Sequence, residues 1–250
     1  MIVRMWRGAA LGFLAAAAVI AMFWVAPIPQ DPLYHRFADT RLLLGIPNFW
    51  NVATNAPFLA IGIAGLLLPV PALRMHHLVL CIGVGLVALG SGWYHLSPSN
   101  SALVFDRLPM TVAFMAIFAA IVADRVSEEL GRALLWPLVA GGIASIAWWQ
   151  MTEAAGDGDL RPYALVQFLP MLLIPIMLLL FKGRWLATRW LWASLATYAA
   201  AKLAEFGDSA VFAVGQLLSG HSLKHLLAAL AAWWAIRAFQ PDEVAAGDAA

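Results

Sequence analysis

Ser91 and His95 stand four residues apart in a segment that is otherwise almost wholly apolar, and Asp106 follows eleven residues after His95. Far downstream, His221 and His225 repeat the four-residue spacing at the head of the last apolar segment. On a helix, positions i and i+4 lie one above the other, so Ser91 shares a face with His95 and two imidazoles can point at one ion. Three histidines from two segments, with one position open, make the ligand set of a catalytic zinc site. A carboxylate beside them is the kind of group that takes a proton from water. A single intramembrane histidine is more often a helix–helix hydrogen bond than a ligand. Three that converge with a carboxylate argue for a site. The stretch His221-Ser222-Leu223-Lys224-His225 lacks the Glu of His-Glu-x-x-His, which excludes a zinc protease of the soluble type.

The segments that carry these residues define the class of protein. The chain has 250 residues, of which 63% are hydrophobic and only 12% charged, against about 25% charged in ordinary soluble domains. Mean hydropathy is +0.81, and apolar runs of about 20 residues recur, so the sequence predicts an all-α polytopic membrane protein. A net charge of +1 with no basic cluster speaks against a nucleic-acid partner. The single cysteine, Cys81, can build neither a disulfide nor a thiolate metal site. Twelve tryptophans, many near segment ends, supply an interfacial belt.

Eight spans are expected: 8–25, 48–68, 77–96, 102–122, 133–151, 163–181, 190–206 and 221–238. The first follows Arg4 and Arg7 and has the basic start of a signal peptide, but Val25-Ala26-Pro27-Ile28-Pro29 is a poor cleavage site, so a retained helix is favoured. The seventh is the weakest, because Lys202 and Glu205 lie inside it. Pro170 and Pro175 should kink the sixth. Residues 1–29 are thus an N-terminal transmembrane helix, 30–238 a seven-helix membrane domain, and 239–250 a disordered tail.

With both termini in the cytoplasm, nine of the 15 Lys and Arg residues fall on the cytoplasmic side, as the positive-inside rule favours. Odd helices then end outside and even helices begin there. His95, Asp106, His221 and His225 come to one depth on the outer, non-cytoplasmic side. Asn48, Asn51 and Asn55 open the second span at that level, and Glu205 with Asp208 closes the seventh. Capping is the default for Asn48; Asp208 is as readily a partner of the site as a surface residue. Arg107 could pair with Asp106, and Lys202 with Glu205. His76 and His77 fall at the opposite end and read as interfacial, while His35 lies in a loop and is left out of the site.

Ser91-x-x-x-His95, Asp106 and His221-x-x-x-His225 together resemble the alkaline ceramidase family, within the superfamily that also holds the adiponectin and progestin receptor-like proteins. The resemblance runs over about residues 30–238 and includes Asn48-Phe49-Trp50-Asn51-Val52-Ala53-Thr54-Asn55, similar to the start of that family's first core helix. It implies seven core helices preceded here by one more. It implies Zn2+ held by His95, His221 and His225, Asp106 orienting or deprotonating the zinc-bound water, and Ser91 supporting the developing oxyanion. The implied activity is hydrolysis of the amide of a ceramide-like membrane lipid to a sphingoid base and a fatty acid. Family members bind calcium through an acidic loop that ends in Glu just before Phe-Trp-Asn. Asn48 stands at that position and the loop offers Asp31 and Asp39, which weakens the case for calcium.

Two other classes compete. A receptor-like lipid-binding membrane protein would hold a structural zinc, but structural zinc prefers four closed protein ligands, and Ser91 and Asp106 would have no chemistry to serve. A transporter would place its polar site at the midplane and show a repeat; the polar groups here gather at one end and no repeat is visible.

Overall fold

A computed structural model describes residues 2–240, with side chains from Trp6 onward. The expected tail, 239–250, lies outside the described residues except for Phe239 and Gln240. Those two belong to the packed body: Phe239 is buried and Gln240 donates to the Pro69 carbonyl at 2.8 Å.

The fold is all-α. Helix α1 (Ile2–Trp24) lies on the flank of the bundle, mostly exposed, with Leu11 turned inward and Arg7 donating to the Leu180 carbonyl. A strap over 25–47 follows, with one 3-10 turn at Pro32–His35 capped by the Asp31 carboxylate. The second expected span is two helices, α2 (Phe49–Ala53) and α3 (Ala56–Leu66). Pro57 causes the break, since it has no N–H to give to the Ala53 carbonyl. Then come α4 (Arg74–Leu96), α5 (Asn100–Arg125) and α6 (Glu128–Ala154). The hydroxyls of Ser99 and Ser127 accept from Ala102 and Leu130 to start the last two. Helix α7 (Arg161–Leu180) carries Pro170 and Pro175 inside it, and α8 (Thr188–Phe206), the short α9 (Asp208–Ala213) and α10 (Gly220–Arg237) complete the chain.

Six helical stretches among the described residues, not eight, are long and apolar enough to cross a membrane: Trp6–Trp24, Phe49–Leu66, Arg74–Leu96, Asn100–Arg125, Glu128–Ala154 and Arg161–Leu180. Helices α8 and α10 fall short because Arg189, Lys202 and Glu205 on one, and Lys224 and Arg237 on the other, dilute their hydropathy. The two pack on each other, with Trp190 stacked on Trp234 at 4.7 Å between ring centroids. Charges meet where α8 ends and α10 begins: Glu205 contacts both Lys202 on its own helix, as expected from the sequence, and Lys224 across the seam.

Helix α5 is the axis. Its Ala116, Ala119, Ala120 and Ala123 are completely buried, and small residues let α4 and α6 approach closely without a hydrophobic force to drive helices together in lipid. Large apolar side chains such as Phe13, Leu67, Leu89 and Leu179 point outward, as a lipid-facing surface requires. At the end of the bundle away from Ser91, Asp124 accepts from the backbone N–H groups of Arg184, Trp185 and Leu186 and contacts Arg125 at 2.8 Å. This buried pair ties the α7–α8 connection to α5. His76 and His77 are near it and are buried: His76 bonds the Gly131 carbonyl, and His77 packs against Phe239 and Cys81.

Candidate metal centre

Gly90 and Gly220 decide where the functional side chains sit. A Cβ on Gly90 would lie 1.9 Å from the Phe105 carbonyl oxygen, so only glycine lets α4 come this close to α5. That approach sets the Ser91 hydroxyl beside the Asp106 carboxylate. A Cβ on Gly220 would lie 2.1 Å from the Ala204 carbonyl, so the start of α10 is pressed against α8. Two further groups hold that start. Ser219 accepts from Ser222 N, and Asp208 Oδ1 accepts from His221 N at 2.7 Å.

These constraints bring His95, at the C-terminal end of α4, to His221 and His225, in the first two turns of α10. One ligand nitrogen from each lies within 4.8 Å of the others, and all three residues are buried. His95 Nε2 and His221 Nε2 are 3.4 Å apart. His225 turns Nδ1 to the Thr54 hydroxyl at 3.0 Å and to the Asn55 amide at 3.4 Å, leaving its buried Nε2 without a partner. The three histidines could therefore hold a metal ion, with Thr54 fixing one ring through the nitrogen that faces away. Among the described residues they are the only such group.

Around the triad the chain supplies a tight polar frame. Asn48 does not cap α2; it sits at φ 49° and donates to the His95 carbonyl at 2.8 Å. Asn51 accepts from the Ser222 hydroxyl and donates to the Asp39 carbonyl. Asp208 is a partner of the site, since its Oδ2 also accepts from Ala38 N in the strap. Phe37 of the strap covers the rings of His95 and His221, with centroids 4.8 and 4.7 Å away. His35 stays out of the triad and bridges the Tyr94 hydroxyl and Asn100. Asp39 anchors the strap's far end: hydrogen bonds from Arg41 hold its carboxyl below the usual carboxylate range.

Sequence reasoning missed Phe37, Thr54 and Lys224. Phe37 carries no spacing signal at all. Thr54 stands one turn from Asn51 and beside Asn55, a hint available in hindsight. Lys224 sits between the two histidines of the motif; its Nζ lies 3.1 Å from His221 Nε2 and 3.0 Å from Glu205 Oε1. Arg107, expected to pair with Asp106, instead donates to Gln30 Oε1 at 2.7 Å and lies over the rings of Tyr34, Trp149 and Tyr163.

The site opens on a cavity of about 540 Å³. Ser91, Asp106, Lys224 and His225 stand on its wall, and Leu80, Val84, Ile121, Ile174 and Ala235 line its apolar part. Its size falls within the usual range for small-molecule sites, and its lining is mostly apolar with a few convergent polar groups. No protein-family model matches this chain, and no curated protein sequence matches it.

Proposed function

We propose that the protein is an intramembrane, zinc-dependent hydrolase that cleaves the amide of a ceramide-like lipid. The observation that carries this reading is a cluster of three histidine nitrogens, one of whose members, His225, lines the same largely apolar cavity as Ser91 and Asp106. The donors suit zinc: tetrahedral ligands at 2.0–2.1 Å place two nitrogens about 3.3–3.4 Å apart, and His95 and His221 present theirs at 3.4 Å. The unpartnered His225 Nε2 is a buried acceptor that an ion would satisfy. An ion and Lys224 cannot share His221 Nε2, so loading leaves the ammonium on Glu205.

A bound zinc ion supplies a Lewis acid for the carbonyl and brings the pKa of water to about 7. Asp106 takes the proton of the attacking water. While Asp106 is ionised, the neighbouring Ser91 hydroxyl is placed to donate to it. Once Asp106 is protonated, Ser91 is released to donate to the carbonyl oxygen as charge develops there. The C–N bond then breaks as Asp106 returns its proton to the leaving nitrogen, giving a free amine and a carboxylic acid. The acyl chain lies among Leu80, Ile121 and Ile174, which keeps the hydrocarbon out of water while its amide reaches the polar end. The charge bias of the loops favours a cytoplasmic amino terminus, with the site on the outer side.

The test is fatty-acid release from ceramides, N-acyl lipids and lipid esters by the pure, zinc-loaded protein, with metal content measured alongside. Ceramide turnover is expected, and His225→Ala should lose both zinc and turnover. No release from any of these substrates would end the hydrolase reading, and zinc retained by His225→Ala would end the ligand assignment.

A further inference from the structure

We propose that the cavity wall at Arg107 is a subsite for an anionic group, a carboxylate or a phosphate, carried by the lipid that enters the site. This rests on the lipid-hydrolase reading above and narrows its substrate class.

Arg107 is only 5% exposed, inside a mostly apolar bundle. An ionisable residue there needs either a partner or a function. Its carbon framework is well kept, with the guanidinium carbon 4.5 Å from the Trp149 ring centroid, 4.8 Å from Tyr163 and 5.5 Å from Tyr34. Its hydrogen bonding is not. Nη2 donates to a neutral amide oxygen, Gln30 Oε1, while Nη1 is buried and has no acceptor. Asp106 is the next residue and acts on it through its charge, but no hydrogen bond or ion pair joins the two among the described residues.

A purely structural arginine would not be expected to leave a fork nitrogen empty. A buried, unsatisfied donor is costly, and more so when charged. The guanidinium cannot shed its proton, and its planar fork matches two oxygens of a carboxylate or phosphate. The residue faces the cavity, together with Gln30, Tyr34 and Tyr163. A neutral head group offers these donors oxygen without charge. An anionic one gives Nη1 a charged acceptor.

The experiment is a thermal-shift titration of the full-length protein in uncharged detergent with laurate, dodecyl phosphate and dodecanol, which share a chain and differ in head group. One anion should bind roughly tenfold or more tighter than the alcohol, the effect of one charge-assisted hydrogen bond, and the tighter anion identifies the group. Arg107→Gln should remove the preference and Arg107→Lys should keep part of it. If Arg107→Gln fails to fold, the wild-type comparison together with Arg107→Lys still decides. Equal affinities for anion and alcohol would overturn the proposal, as would a preference unchanged in a folded Arg107→Gln. The His225→Ala protein separates this subsite from the ion site: it should retain the preference, and losing it would assign the anion to the ion and overturn the proposal. Fatty-acid release is not read in any arm, so failure of the hydrolase reading leaves this result distinct.

Discussion

Gly90→Ala is the sharpest test of how the site is held. The added methyl would lie 1.9 Å from the Phe105 carbonyl oxygen, where Cβ contacts below 3.0 Å essentially never occur, so α4 and α5 must part by at least 1.1 Å. Phe105 immediately precedes Asp106, and Gly90 immediately precedes Ser91, so the displacement falls on the pair that faces across this seam. Overpacking of this kind costs about 1–3 kcal/mol, against which alanine recovers about 1 kcal/mol of helix propensity. Its effect on chemistry should be larger, since a misplacement of about 1 Å can cost on the order of 100-fold in rate. Gly92 is the internal control. A Cβ there meets nothing within 4 Å, so Gly92→Ala should be neutral or stabilising by about 0.5–1 kcal/mol. Thermal unfolding in detergent, metal content and fatty-acid release would be measured for both. Turnover should collapse in Gly90→Ala alone, and metal content tells which helix yields: it is retained where α5 moves and falls where α4, which carries His95, moves. Gly90→Ala that matched Gly92→Ala in stability and turnover would refute the close-approach argument.

Other expectations follow from the frame of the site. Asp208→Ala removes a carboxylate that accepts from both His221 N and Ala38 N, bonds of the charged type worth about 1.5–3 kcal/mol each. It should lower the unfolding midpoint and weaken zinc retention together, and unchanged unfolding would show that the strap and α10 are held by something else. In the loop before α7, hydrogen bonds from Arg161, with further help from the Trp148 indole, hold the Asp159 carboxyl far below its usual range. A lowered folded value means that its stabilisation is full above the ordinary aspartate pKa of about 3.9 and is lost as pH falls through the lowered value. The stability gap between wild type and Asp159→Asn should thus be constant from pH 6 to about 5 and shrink on further acidification; a gap that widened with acid would contradict the sign.

Much of this architecture is readable in one dimension because its causes are local. A run of apolar residues about 20 long has to be helical in lipid, since no other single segment satisfies its own backbone there. The i,i+4 spacings of Ser91 with His95 and of His221 with His225 follow from helix geometry alone. Alternation of helix direction then carried these residues to one end, and the three histidines do converge there. Hydropathy alone did not show how α8 and α10 pair: their charges meet at Lys202, Glu205 and Lys224 and Trp190 stacks on Trp234. The rest depended on contacts between residues far apart in sequence. Asn48 holding the His95 carbonyl, Thr54 on His225, Phe37 over two imidazoles and Arg107 in its aromatic cage all arise from where the strap and α5 pack, which no periodicity encodes. Helix-forming and apolar patterns are properties of neighbours along the chain. The orientation of a ring nitrogen, or an arginine left with an empty donor, is a property of neighbours in space.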